Sequence, residues 1–532
     1  MSSGETRGAS GIAPSAPPPG LTPSAPQPLV TPLPPSPAAR SVAVAAVVTG
    51  LSWCGLILAR LFVGGVIGMA DQGDGRRLMC QLGVRTSAPF NANPSTYLYP
   101  SWIAHHWYGE ACSADGAGGM YRSTELWLLS LAKHLTPVLG LAGTLDLRAL
   151  GVICAVLVGI VVAALVVVLP GSLRLRVIVA SLVGLLAADA AVSQFFVSPY
   201  SEPVELIGTL ALCPALIVLW RKGHTTWARI ALVVFVSTAV IGAKTQAAAL
   251  LPAIFLALLW LPHRAGRFRS RRAAVLVARI PGLIGCAVLL GAAAFFVRAE
   301  PAGLTQQNIY LEVFGEILVH SSDRPADLRS LGADPSLASA AGTNPESPNA
   351  ATLRPQYLAF RRNVTEASIV RFYVEHPVRL FAVGADGLRG VAQWRQDYLG
   401  SYPPGSGHPP GAIEDRVGFY GLVLQHQAEP VLVMVWFLTL YLGLRAVRSP
   451  RLGPAERALG RLAVFTTIGA LCEFWAVMIS AGFHDVYRHM ILTNVLLGLG
   501  APLVVAMTAV RSRAARQDPL SPLSSVIGPK TE

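Results

Sequence analysis

The sequence predicts an all-α, polytopic membrane protein, and three observations carry that prediction. Of its 532 residues, 53% are hydrophobic and only 13% charged, where ordinary soluble domains carry roughly 25% charged residues. Apolar runs recur along most of the chain, each about long enough to cross a ~30 Å hydrocarbon layer as a helix. Alternation of period two, the mark of half-buried strands, is absent.

The elements follow in order. Residues 1–42 form a tail dense in Pro, Ser and Ala, too poor in apolar side chains to fold and expected to be a disordered cytoplasmic extension. No basic stretch and short apolar core precede it, so it does not read as a signal peptide. Ten spans are expected, at 43–69, 147–169, 175–197, 203–220, 229–243, 247–262, 273–297, 430–446, 460–482 and 489–510. The first seven make a module, 43–297, that contains a first outer loop, 70–146. A large outer segment, 298–429, separates it from three C-terminal spans in 430–510, and 511–532 is a second tail. Within the outer segments, 123–140 reads as an interfacial helix and 308–321 has helical periodicity, so a cap over the membrane surface is expected.

Net charge is +13, which raises the question of nucleic acid. The basic residues instead fall in short stretches between spans, at Arg174, 221–229, 263–272, 445–461 and 511–516. With a cytoplasmic N-terminus every one of them lies inside, as the positive-inside rule requires. The charge is topogenic and faces membrane lipids, so no nucleic-acid partner is expected. The reading is a multi-pass cell-membrane protein with both termini cytoplasmic. Seven cysteines are scattered; Cys80 and Cys112 share the first outer loop, an oxidising compartment, and are candidates to pair. No metal-ligand spacing occurs.

Ionisable groups at span ends cost free energy unless paired, hydrated or used, and here they gather on the outer side. Asp71 and Asp74 follow the first span, with Arg76 and Arg77 behind them. Asp189 lies in the third span, with Tyr200 and Glu202 at its outer end. Lys244 and Gln246 join spans five and six. His484, Asp485, Arg488 and His489 join spans nine and ten. Their shared depth predicts one crevice beneath the cap. It offers carboxylates for a base, since a partly desolvated acid beside another acid has a raised pKa, and cations for a phosphate. The bland alternatives are helix termination for the aspartates, interfacial anchoring for Arg76, snorkelling for Lys244 and a plain polar turn at 484–489. No GxxxxGK[ST] or HExxH occurs, against an ATP-driven machine or a zinc protease. No strand–helix alternation suggests a nucleotide-sugar domain, so a sugar donor must already be outside.

A resemblance then emerges from "ADQGDGRRLM" (70–79), "FVSPYSEPVELI" (196–207), "GAKTQAAALLP" (242–252), "NIYLEVFGEILVHSSDRPADLRSLGADP" (308–335), "VEHPVRL" (374–380) and "GFHDVYRHMILTNVLL" (482–497). In this order on one polytopic chain they resemble the GT-C membrane glycosyltransferases, most closely the WsfD-type glycan-biosynthesis hexosyltransferases. The resemblance implies inverting transfer of a hexose from a polyprenyl-phosphate donor to an acceptor hydroxyl of a cell-envelope glycan or glycolipid, on the extracytoplasmic face. It implies a catalytic base at Asp71 or Asp74, phosphate holding by Lys244 and Arg488 with His489, and substrate contacts from Arg76, Tyr200, Glu202, Gln246, His484 and Asp485. Gln72 stands where the commoner pattern has Asn, and "VSPYSEP" where it has an Asn-Ser-Phe/Tyr run. No cofactor is required, although a divalent metal bridging carboxylate and phosphate is compatible. The rival classes are a transporter or flippase for lipid-linked sugars, with Asp189 as a proton-coupling group, and a non-catalytic envelope scaffold.

Overall fold

The computed structural model describes residues 36–86, 98–107, 121–221, 226–260, 271–394, 398–424, 429–480 and 486–516. The chain divides into two compact units, Met1–Ser41 and Val42–Glu532. Of the first, the described part is the opening turn of helix α1 (Pro37–Phe62).

The described residues contain seven helices long and apolar enough to cross a membrane, or eight when one bent pair counts as a single span. They include α1, α4 (Leu147–Val168), α6 (Glu202–Trp220), α9 (Arg271–Arg298), α11 (Glu429–Arg448) and α12 (Pro454–Ser480), and the run Ile491–Arg513, built from α13 (Ile491–Gly498) and α14 (Gly500–Arg516). The bent pair is α5 (Leu173–Ala188) with Ala190–Val197, at 55°. The expected fifth and sixth spans are shorter apolar helices, α7 (Trp227–Ile241) and Thr245–Leu259, the latter a 3₁₀ turn running into α8 (Leu251–Leu259).

Burial sorts these helices. Apolar on every face, α6 has 89% of its most hydrophobic window inside the protein, whereas α1 and α9 have 22% and α11 has 28%. A helix apolar all round belongs in a core or in lipid; α6 takes the first place and the other three the second. Val44, Leu51, Phe295 and Phe437 accordingly point outward.

Three departures from the expected elements have physical causes. The first span ends as a helix at Phe62, because Gly64 and Gly65 take φ of 80° and 111°, a region that favours glycine. Residues 63–70 then run up as non-helical chain. The third span breaks at Asp189, whose carboxylate caps the second half through the Ala191 N–H. The first outer loop holds a small antiparallel sheet of β1 (Val84–Thr86), β2 (Ile103–His106) and β3 (Leu145–Asp146), with Val84 opposite His106 and Ile103 opposite Asp146. Strands this short show no alternation in a sequence.

The stretch expected to be an interfacial helix forms α3 (Glu125–Val138), with the residues before it latched to the C-terminal end of α7 and the turn that follows. The Thr124 N–H and Ser123 hydroxyl donate to Gly242 and Ala243 carbonyls, and the Thr124 hydroxyl donates to Ala239. The large segment after α9 carries further helices, among them a π-helical turn at Leu311–Ile317 and α10 (Arg379–Ala392). It packs on the end of α12 nearest Val486–His489. Two buried ties fix it there. Arg60 of α1 pairs with Glu414, and Asp189 accepts from the Trp394 indole at 3.0 Å and the Tyr420 and Gly421 N–H groups at 2.8 and 3.2 Å. Cys80 is disulfide-bonded; its expected partner Cys112 lies outside the described residues.

Candidate active site

Glycines shape the turn that carries the two aspartates. Gly73 adopts φ 114°, and α2 (Asp74–Met79) starts immediately after it. Asp71 folds back so that its Oδ1 accepts the N–H groups of Gly73 at 2.8 Å and Gly75 at 3.1 Å. Gly75 lies against the 198–201 turn: a Cβ there would meet Pro199 side-chain carbon at 2.3 Å and the Pro199 carbonyl oxygen at 2.9 Å. Tyr200 completes the junction. Its hydroxyl donates to the Ala70 carbonyl and accepts the Gln72 N–H. Gly75 thus lets α2 pack directly against the 198–201 turn.

Across this turn stands Arg488. Its NH2 is 2.5 Å from Asp74 Oδ2, and its guanidinium lies over the Tyr200 ring at 4.8 Å. Arg77, one turn along α2, binds the other Asp74 oxygen at 3.0 Å. Beneath Arg488, Lys244 Nζ is 3.3 Å from Glu202 Oε1 and 2.9 Å from His489 Nδ1. Gln246 donates to Glu473 and to the His489 carbonyl, and its Oε1 lies 2.9 Å from the same His489 Nδ1. One ring nitrogen cannot accept from an ammonium and donate to an amide at once. Whichever neighbour is engaged therefore selects the tautomer of His489.

The two aspartates are electrostatically unlike. Burial pushes the Asp71 carboxyl up to about 6, against the pull of the Gly75 and Gly73 N–H groups, with Asp74 adding to the rise and Arg488 opposing it. Burial also pushes Asp74 up, but Arg488 and Arg77 more than offset it and hold that carboxyl at about 2. Asp74 is set deep among protein atoms and yet 39% of its side chain is reached by solvent, as befits a crevice wall. One acid can exchange a proton near neutral pH; the other is a fixed negative charge that orients two arginines.

Of the residues expected from sequence, Asp71, Asp74, Tyr200 and Arg488 gather in one group and Glu202, Lys244, Gln246 and His489 in a second, the two meeting where Arg488 adjoins His489 and Lys244 acts on Asp74. The Arg76 guanidinium lies over the Trp107 ring at 5.9 Å, and Arg77 stands beside Asp74. His484 and Asp485 lie outside the described residues. Asp189, with all four of its hydrogen bonds made to Ala191, Trp394, Tyr420 and Gly421, staples the broken span to the overlying segment. Sequence reasoning passed over Glu473, although an acid in the middle of an apolar run is itself a signal. It also passed over Glu125, which is fully buried and caps α6 by accepting the Val204 N–H at 2.9 Å. Among the described residues one group has metal-ligand proximity, Glu316, His320 and Asp386, within 4.8 Å of one another. Asp386 there already pairs with Arg389 and with His320.

The family model described as the YfdI N-terminal transmembrane domain matches residues 37–519. No curated protein matches the sequence significantly. Two solved structures from Archaeoglobus fulgidus are similar in part: the oligosaccharyltransferase in its apo form, at 14% identity over 90% of this chain with a TM-score of 0.37, and the oligosaccharyltransferase AglB in complex with an inhibitory peptide and a dolichol-phosphate, at 15% identity over 93% of this chain, also with a TM-score of 0.37. The chain spans about half the length of each, 52%. Those values are too low to transfer an activity.

Proposed function

From a chain that belongs to the YfdI N-terminal transmembrane domain family, we propose a GT-C-like membrane glycosyltransferase that moves a hexose from a polyprenyl-phosphate donor to an acceptor hydroxyl on the extracytoplasmic face. The matched family is the YfdI one; the finer likeness to WsfD-type enzymes, and a cell-envelope glycan or glycolipid as acceptor, belong to this proposal. The observation that carries it is the gathering of Asp71 and Asp74, Lys244 and Arg488, from three distant parts of the chain, with Arg488 bonded to Asp74 and both cations acting on its carboxylate.

In this scheme Asp71 is the base. Its Oδ1 is held by two N–H groups, and a carboxyl near 6 is a far stronger base than one near 2. The acceptor oxygen attacks the anomeric carbon as Asp71 takes its proton. The bond from that carbon to phosphate oxygen breaks, with inversion, and polyprenyl phosphate leaves carrying the extra negative charge. Arg488 and Lys244 stabilise that charge, and engagement of Lys244 frees His489 to donate to Gln246. Asp74 keeps Arg488 and Arg77 aimed at the crevice. The basic stretches at the opposite helix ends support a cytoplasmic position for that end, by the positive-inside rule. The scheme requires no cofactor, and a divalent metal between carboxylate and phosphate is compatible with the acids present.

The bent span and its buried aspartate are what a transporter would show. The saturation of Asp189 with four hydrogen bonds argues against that role, because a proton-coupling group must exchange its partners. The test is reconstitution with polyprenyl-phosphate hexose and acceptor. Acceptor-dependent release of polyprenyl phosphate, lost in Asp71→Asn, is expected. Movement of the intact donor between leaflets without release would overturn the assignment.

A further inference from the structure

At the far end of the bundle from Arg488, three helix ends enclose an open cavity of about 670 Å³. Its wall carries Arg445 and Arg448 from α11, Arg451 from the connection to α12, and Arg511 from α14, with Ser449 and Ser512 between them and no acidic residue among the described residues that line it. The location is fixed by the chain. Arg451 precedes α12 and Arg488 follows it, and a 27-residue helix rises about 40 Å. Helices α11, α12 and α14 pack on one another, so the arginines are presented by a rigid frame. Arg445 is further held by its own helix, donating to the Tyr441 hydroxyl at 3.2 Å.

Arginine side chains gathered from three helix ends make a cationic lining that favours an anion. Arginine matches phosphate oxygens with paired N–H groups, and serine hydroxyls can donate beside it. The volume exceeds what a single phosphate fills and falls in the range of a shaped ligand site. Of the helices that frame it, α11 is largely unburied and faces lipid, and basic side chains at helix ends sit at headgroup depth. A ligand that diffuses in the membrane plane reaches such a cavity without leaving the bilayer.

We propose that this cavity is a binding site for an anionic phospholipid headgroup bearing two phosphates, as in a cardiolipin-type lipid. It is independent of the chemistry proposed at the other end.

The test uses the full chain purified in detergent and supplied with cardiolipin, with phosphatidylglycerol at equal phosphate content, with phosphatidylcholine, or with soluble pyrophosphate. Thermal unfolding and retained lipid by native mass spectrometry are read for each. Cardiolipin should raise the unfolding temperature most. Its apparent Kd should weaken roughly tenfold or more in Arg448→Gln/Arg511→Gln, with partial loss in Arg448→Lys/Arg511→Lys, which keeps charge and helix termini. Arg513→Gln, which removes a neighbouring charge that binds Ser172 instead, should leave it unchanged. Equal effects of cardiolipin and phosphatidylcholine, or equal weakening by Arg513→Gln, would overturn the site. Phosphatidylglycerol matching cardiolipin would overturn the two-phosphate reading. A variant-sensitive response to pyrophosphate without one to lipid would overturn the lipid source.

Discussion

Asp74 and Arg488, 414 positions apart in the chain, meet at 2.5 Å and make one electrostatic unit. The Arg488 side chain is 5% exposed and that of Asp74 39%, so the pair bridges the protein interior and solvent. Groups that act as a unit are non-additive when removed. Asp74→Asn and Arg488→Gln should each lower kcat/KM for the donor by roughly 10- to 100-fold, and the double variant should be no worse than the weaker single. Steady-state kinetics of the cycle checks this; simple multiplication of the two losses would separate the residues.

Asp71 sets a pH dependence with a definite sign. Its carboxyl is raised to about 6, so below that pH it is protonated and cannot take a proton from the acceptor. The rate should fall about tenfold per pH unit on the acid side. Asp74, at about 2, stays ionised throughout and contributes no limb. Asp71→Asn should cut kcat by roughly 10²–10⁴ while keeping an oxygen for the Gly73 and Gly75 N–H groups. A raised folded-state pKa means that ionisation opposes folding once pH exceeds the unfolded value. Asp71→Asn should therefore keep or raise the unfolding temperature at neutral pH, and a marked fall would point to a structural role.

Lys244 is held by Glu202, with side-chain exposures of 14% and 2%. Neutralising the acid leaves the ammonium less compensated and more attractive to an anionic donor. Glu202→Gln should thus lower the donor KM by roughly threefold to tenfold. Lys244→Met should act the other way, raising the donor KM by about tenfold. It also leaves a buried carboxylate without its cation, a cost of about 3–5 kcal/mol that thermal unfolding will register. Parallel shifts in KM for both variants would refute a phosphate-holding lysine.

Much of this arrangement is legible in the sequence because lipid imposes a simple rule. Charged residues at the ends of apolar runs share a depth, so Asp71, Glu202, Lys244 and Arg488 could be assigned to one leaflet before any contact was known. Lateral position is not encoded in that rule. Arg76 and Arg77 are equivalent by depth, and only the i,i+3 relation of Asp74 to Arg77 on a short helix separates them. Glu473 was hidden inside a strongly apolar run whose length alone satisfied the span pattern. The break at Asp189 depends on donors more than 200 residues away, which no local window contains. The small sheet fails for the same reason, since its three strands are held together by pairing across the loop.

The turn bearing both acids depends on how closely it approaches residues 199–200, and this gives a prediction that separates packing from chemistry. A Cβ at Gly75 would collide with the Pro199 ring and its carbonyl, and backbone cannot yield as a flexible side chain does. Gly75→Ala should cost about 1–3 kcal/mol of stability and tilt α2, taking Asp74 away from Arg488. Tyr200→Phe keeps the ring under Arg488 but deletes the hydroxyl that joins Ala70 to Gln72, leaving the buried junction one bridge short. It should lower kcat by about tenfold, since a misplaced reactive group loses rate steeply, with a donor KM near the parent value. If Gly75→Ala unfolds at the parent temperature and Tyr200→Phe keeps the parent kcat, the turn is not positioned by this contact.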